Sequence, residues 1–339
     1  MSIATYEARP NTPLVYYWGK LDEELFLPTR SSFSVTIEGI NYPLKVKTTV
    51  DATKDYSRDE IFIYGEKGLT KPNEDVENEI RRQLAILKHY AETPKGVRVV
   101  SYSTFPMGAG LAGSAAEAAS LALAFFDAVQ YNPSERILNQ AVRQLSGSGT
   151  RSLYGGFVKW DKGESSEDSI AKQIFDENYW PDFRILVAVV EEGKKKVPSR
   201  LGMKTTVQTC PPELYKFFCD VSEIHINEMI ESIKNRDLKR LGELYELENQ
   251  IFRTVCLYSK PSLDYYSPAT HRVFEMVKEL RDYDIDVYAG TQAGPNVNLL
   301  TDVRNLERVR SKLESQLYVK RLYVCKPGPG PKKIDDHLI

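Results

Sequence analysis

Residues 106–120 read Pro-Met-Gly-Ala-Gly-Leu-Ala-Gly-Ser-Ala-Ala-Glu-Ala-Ala-Ser, a glycine-rich turn between a strand-like run and an alanine-rich stretch. A strand, turn and helix start in this order leaves backbone N–H groups free at the positive end of a helix dipole, which suits a phosphate. Gly108, Gly110, Gly113 and Ser114 are the contacts expected in such a phosphate loop. It is not a Walker A loop, because no Gly-Lys-Ser/Thr follows, and it lacks the GxGxxG spacing of a dinucleotide site. An isolated turn of this kind reads as close helix packing by Ala and Gly, so the phosphate reading depends on other residues. A second glycine-rich turn, 146–150, precedes Arg151. His89, His225, His271 and His337 have no metal-ligand spacing. Cys210, Cys219, Cys256 and Cys325 form no CxxC pair, and no nucleophilic triad is visible, so no metal is expected.

The elements that must position these turns follow from periodicity. Short apolar runs at 14–18, 32–37, 44–50 and 61–64 read as strands broken by Pro, Gly and Asp. Val76, Ile80, Leu84 and Leu87 recur at helical intervals over 73–90. A strand at 96–103 leads into the glycine-rich turn, an alanine-rich helix to about 131 and a second helix at 134–145. Residues 153–160 and 185–190 read as strands, and long amphipathic helices are expected at 212–236, 238–254 and 268–283. Strands at 286–289 and 298–300 complete the pattern, before a tail ending Lys326-Pro327-Gly328-Pro329-Gly330-Pro331. Strands and helices mix on both sides of 176–182, so the expected class is α+β in two lobes, residues 1–182 and 183–339.

The chain has 339 residues, 42% hydrophobic and 27% charged, a composition that supports a full core. Forty-five Lys and Arg against 47 Asp and Glu give a net charge of −2, without the basic excess of a nucleic-acid binder. No 18-residue apolar run or basic-then-apolar leader appears, so no membrane partner and a reducing cytoplasm are expected.

Several blocks in order carry a resemblance. They are Ala8-Arg9-Pro10-Asn11, Tyr16-Tyr17-Trp18-Gly19-Lys20, 27–35, 105–114, Arg151-Ser152-Leu153-Tyr154-Gly155-Gly156-Phe157, Pro198-Ser199-Arg200-Leu201-Gly202-Met203, Ala293-Gly294-Pro295-Asn296 and 327–331. Together they resemble the diphosphomevalonate decarboxylases of the GHMP kinase superfamily. The resemblance implies an N-terminal lobe like ribosomal protein S5 domain 2, a ferredoxin-like C-terminal lobe, a deep cleft between them and a homodimer. Ordinary members phosphorylate the 3-hydroxyl of a phosphorylated mevalonate with MgATP, then expel that phosphate with carbon dioxide. It also implies that Arg151 and Lys20 act as catalytic cations, and that Asn11, Tyr17, Ser114 and Ser152 meet the substrate.

Departures from the family pattern shape the functional expectation. Gln292 stands where the family has the aspartate of Asp-Ala-Gly-Pro-Asn, and Tyr16 where it has the first lysine of Lys-Tyr-Trp-Gly-Lys. The loop runs Ser114-Ala115-Ala116-Glu117, losing two hydroxyls and gaining a carboxylate. Arg30 and Arg200 replace smaller polar residues and would suit a substrate with an extra phosphate. The expected activity is therefore decarboxylative elimination from mevalonate 3,5-bisphosphate, as in the archaeal variant of the family. It would give isopentenyl phosphate with Arg151, Lys20 and Gln292 catalytic and no cofactor. The alternative is an ATP-dependent diphosphomevalonate or phosphomevalonate decarboxylase using ATP and Mg; mevalonate 3-kinase and a non-catalytic homologue are further alternatives.

Overall fold

The structure is a computed structural model and describes residues 1–65, 68–106, 111–193 and 196–339. Two large sheets organise it. The first, of six strands, runs in the order Lys332–Lys333, Ile3–Ala8, Val46–Tyr56, Gly96–Ser103, Glu60–Gly65, Gly68–Thr70. Helices α1 (Glu74–Tyr90), α2 (Gly113–Ala128) and α3 (Glu135–Leu145) cover it, with Val50, Val99, Leu84 and Phe125 in one buried cluster. Helix α1 starts where Asn73 accepts a side-chain hydrogen bond from the Val76 amide, and acidic residues in its first turn oppose the dipole. Twelve of the 16 residues of α2 are buried, and its small Ala side chains let the helix lie close to the strands.

The second sheet follows the path Ala171–Phe175, Phe157–Trp160, Ser32–Gly39, Arg321–Pro327, Phe183–Val189, Val297–Asp302, Tyr288–Thr291, with Asn11–Val15 pairing beside Ser32–Gly39. It runs without a break from strands of the N-terminal half into strands of the C-terminal half. Strand Phe183–Val189 explains its own apolar run. Ile185, Val187 and Val189 join one cluster with α5 (Pro212–Lys234) and α6 (Leu238–Leu257), while Leu186 and Ala188 join another. That second cluster includes α7 (Pro268–Arg281) and α8 (Leu306–Glu314), so both faces of the strand are buried.

The α+β expectation matches this architecture. Two helices, α8 and α4 (Ser199–Thr209), are not among the expected elements, nor are several strands, among them Ile3–Ala8, Gly68–Thr70, Ala171–Phe175, Arg321–Pro327 and Lys332–Lys333. Helix α4 mixes Gly202 with threonines and α8 is half charged, so neither shows a clear apolar period. No helix among the described residues is long and apolar enough to cross a membrane.

Candidate active site

A cleft of about 510 Å³ opens between the α2 start, the turn after α3, the α4 start and the turn after Thr291. Helix α2 enters it uncapped. Ala112 adopts a left-handed conformation (φ 51°), no side chain among the described residues caps the first-turn amides, and no acidic residue lies in that turn. Gly113 and Ser114 line the cleft there, so free N–H donors and a hydroxyl meet at one place. Gly108 and Gly110 lie outside the described residues.

Arg151 sits in a short 3₁₀ turn, Gly147–Leu153, and is 2% exposed. Its Nε donates to Ser34 Oγ at 3.0 Å, another nitrogen to Ser32 Oγ, and Nη2 to Asn11 Oδ1 at 3.4 Å. All three partners are neutral. Burial lowers the guanidinium to about 10, and it has no carboxylate partner among the described residues. Asn11 is fixed in turn by donating to Ser148 O (3.1 Å) and Ser152 Oγ (2.8 Å). Ser152 thus orients Asn11, and Ser152 itself is fully buried. Tyr17 lies over this turn with a buried hydroxyl that has no hydrogen-bond partner among the described residues. A Cβ on Gly147 would come within 2.6 Å of the Tyr17 ring, so only glycine permits this approach.

At the rim, three cations surround one ring. Lys20 Nζ is 3.6 Å from the Phe26 centroid, Arg200 5.6 Å and Arg82 5.7 Å. Glu79 joins two of them, at 2.7 Å from Arg200 and 2.8 Å from Arg82, while Lys20 pairs with Glu23 at 2.7 Å. Burial would raise the Glu79 carboxyl, but the hydrogen bonds from Arg82 and Arg200 overcome it and bring the group to about 2. Glu117 has no such help. Burial, reinforced by the nearby Glu79 charge, raises it to about 7. It lies beyond the first turn of α2 rather than in the loop.

Among the expected site residues, the structure brings Asn11, Tyr17, Lys20, Gly113, Ser114, Arg151, Arg200 and Gln292 to the cleft lining, with Ser152 directly behind. Arg30 is a correction. It is fully buried in an ion pair with Glu248 (3.0 Å), stacked 3.8 Å over the Phe218 ring, and does not line the cleft. A buried guanidinium needs its counter-ion, and α6 supplies it. Glu79 and Phe26 also line the cleft and belong to none of the sequence motifs; the pairing of Glu79 with Arg200 spans 121 positions. No group of three or more metal-ligating His, Cys, Asp or Glu side chains occurs among the described residues.

The two-domain α+β frame, with a helix start and a buried arginine facing one cleft, is of the GHMP kinase type. Residues 8–171 match the diphosphomevalonate decarboxylase-like N-terminal domain, and 185–323 the mevalonate 5-diphosphate decarboxylase C-terminal domain. The diphosphomevalonate decarboxylase of Danio rerio is 36% identical, covering 100% of this chain and 95% of its own. The mevalonate diphosphate decarboxylase from Enterococcus faecalis, described for a mevalonate diphosphate mediated ATP binding mechanism, is 32% identical with a TM-score of 0.87 over 99% of both chains. MDDEF in complex with MVAPP, AMPPCP and magnesium matches at 33% identity and the same TM-score over 99% of both chains. The chain belongs to the diphosphomevalonate decarboxylase family, and it is a carboxy-lyase of the mevalonate pathway.

These findings overturn the expected ATP-free elimination from a 3,5-bisphosphate. The full-length relatives are diphosphomevalonate decarboxylases, and nothing among them supports the archaeal variant. The expectation of no cofactor loses its basis as well, since a neighbour of nearly the same backbone is in complex with AMPPCP and magnesium. Gln292 and Glu117 line the cleft as departures from the family pattern, and Tyr16 is a third, on a backbone that matches the family over 99% of its length.

Proposed function

We propose that the chain decarboxylates mevalonate 5-diphosphate in an ATP-dependent reaction, with the cleft holding both molecules. The observation that carries this reading is Arg151, a buried cation with neutral partners only, which calls for an anion in the cleft. The residues present fit a nucleotide phosphate: α2 offers uncapped amides beside Ser114, and no charge opposes them in its first turn. When bound, ATP supplies the phosphoryl group that makes the 3-hydroxyl a leaving group, with magnesium as its counter-ion.

The chain's own residues then act by position and charge. Asn11 and Ser152 orient Arg151, and Ser32 and Ser34 fix its plane. Negative charge grows on the departing oxygen as the C3–O bond breaks, so Arg151 and Lys20 favour the transition state over the ground state. Gln292 is neutral and orients the substituents at C3. Phosphoryl transfer through a loose transition state depends on alignment more than on a strong base, so a neutral amide there is compatible with ATP use. Arg200 faces the distal phosphates from the rim. A homodimer belongs to the same reading and rests on the family resemblance; the division into lobes at 182/183 and a cytoplasmic location rest on the sequence pattern.

Release of carbon dioxide and phosphate from mevalonate 5-diphosphate tests it, measured with and without ATP and Mg. Turnover is expected only with nucleotide, and release at full rate without it would overturn the reading. In the same assay Arg151→Ala should lower kcat on the order of a hundredfold while KM moves little. A change confined to KM would place Arg151 in uniform binding.

A further inference from the structure

Behind the turn that carries Gln292 lies a buried polar network that the reaction described above does not use. Tyr16 is 3% exposed, and its ring stacks on Phe252 of α6 at 4.3 Å with 7° between planes. Tyr16 lines the cleft, and its hydroxyl is committed to the protein, donating to the Thr291 carbonyl at 2.5 Å. Asn249, also on α6 and 1% exposed, donates to Tyr16 Oη at 2.9 Å and to Thr291 Oγ1 at 3.3 Å. Its own Oδ1 accepts from the Tyr266 hydroxyl. Both amide hydrogens of Asn249, its carbonyl oxygen and both roles of the Tyr16 hydroxyl are therefore committed.

Thr291 is the last residue of its strand, and Gln292 follows at once in a turn closed by Gly294 N–H to Gln292 O at 2.8 Å. Thr291, which leads into Gln292, is thus held at its carbonyl by Tyr16 from the N-terminal half and at its hydroxyl by Asn249 from α6. Buried hydrogen bonds of this kind resist rearrangement, because breaking one strands a buried polar group. Burial also raises the Tyr16 hydroxyl well above its ordinary value, so it remains a donor at working pH.

We propose that Tyr16 and Asn249 are positioning residues that set the backbone of the Gln292 turn and so fix where the Gln292 amide meets the C3 substituents of the substrate. The inference rests on the role given to Gln292 above. Position 16, where the resemblance leads one to expect a lysine facing substrate, has here become part of the scaffold.

The test is a double-mutant cycle in kcat. Tyr16→Phe keeps the stacking and removes only the hydroxyl; it should lower kcat by about tenfold with KM within about twofold. Gln292→Ala lowers kcat by itself, and adding Tyr16→Phe to it should cost less than about twofold more, because nothing remains to be positioned. A merely structural role would lower the melting temperature and act additively with Gln292→Ala. Additive losses, or an unchanged kcat in Tyr16→Phe, overturn the proposal. If Tyr16→Phe does not fold, Tyr266→Phe, which frees the Asn249 carbonyl, carries the same cycle with the same expected coupling. The cycle is run on whichever phosphorylated mevalonate the wild-type chain consumes. Wild-type inactivity on mevalonate 5-diphosphate with ATP would therefore defeat the proposed function while the coupling is still measured.

Discussion

Glu117 poses the sharpest electrostatic conflict in the cleft, since a carboxylate beside the uncapped start of α2 competes with any phosphate drawn there. Its rise to about 7, from burial and from Glu79, eases that conflict by keeping a proton on the group below neutrality. The stability consequence has a definite sign. The folded state holds the proton more tightly than the unfolded chain, so stability is greatest below the ordinary carboxyl value of 4.5 and is lost as pH rises towards about 7. Glu117→Gln should abolish that loss: its melting temperature should exceed the wild type's at pH 8, and the gap should close below pH 4.5. The wild-type KM for ATP should also rise above pH 7, with a flatter profile in the variant. Coincident melting curves at pH 8 would show that the carboxylate is solvated instead.

At the scale of elements, α6 works as a bracket. Glu248 and Asn249 are adjacent and both buried, one tied to Arg30 and the other to Tyr16 and Thr291. His225 of α5 adds a 2.6 Å contact to the same Glu248 carboxylate. Glu248→Gln should destabilise the protein by roughly 3–5 kcal/mol in urea unfolding, because it strands the Arg30 guanidinium without a counter-ion. Replacing both partners by apolar residues of similar volume should recover most of that loss. Equal damage from single and double variants would refute the explanation.

The same helix shows what the sequence could disclose. Its apolar stripe, including Leu241, Leu244 and Tyr245, has the helical period and predicts the element directly. The motif blocks likewise place Asn11, Lys20, Arg151 and Gln292 in one cleft, since order along the chain carries that information. Side-chain direction is another matter. Arg30 lies two residues before Ser32, which meets Arg151, yet its own guanidinium turns to a carboxylate 218 positions away. Helix α4 was hidden for a different reason: its buried face holds Gly202 and Thr206, which carry little apolar signal.

Across the whole molecule, Arg200 at the start of α4 reaches the N-terminal half, donating to Glu79 of α1 at 2.7 Å and to Leu145 O at 3.3 Å. The pair is half exposed, 50% on Arg200 and 34% on Glu79, so it adds less than about 1 kcal/mol to stability. Its larger effect is on the substrate, for which the same guanidinium lines the cleft. Arg200→Gln should leave urea unfolding nearly unchanged and raise KM for mevalonate 5-diphosphate roughly tenfold. A marked loss of stability with KM intact would make the contact a structural strut.

Strand Ser32–Gly39 cannot acquire its neighbour Arg321–Pro327 until almost all of the polypeptide exists, and Thr5 bonds His337 across 332 positions. A ribosome releasing this chain therefore exposes an early strand with one open edge for most of the time it takes to make the rest. Pairings so distant in sequence also close large loops late, which slows folding. The nascent chain should depend on holding factors during synthesis, and fragments ending before residue 321 should aggregate through that unprotected edge.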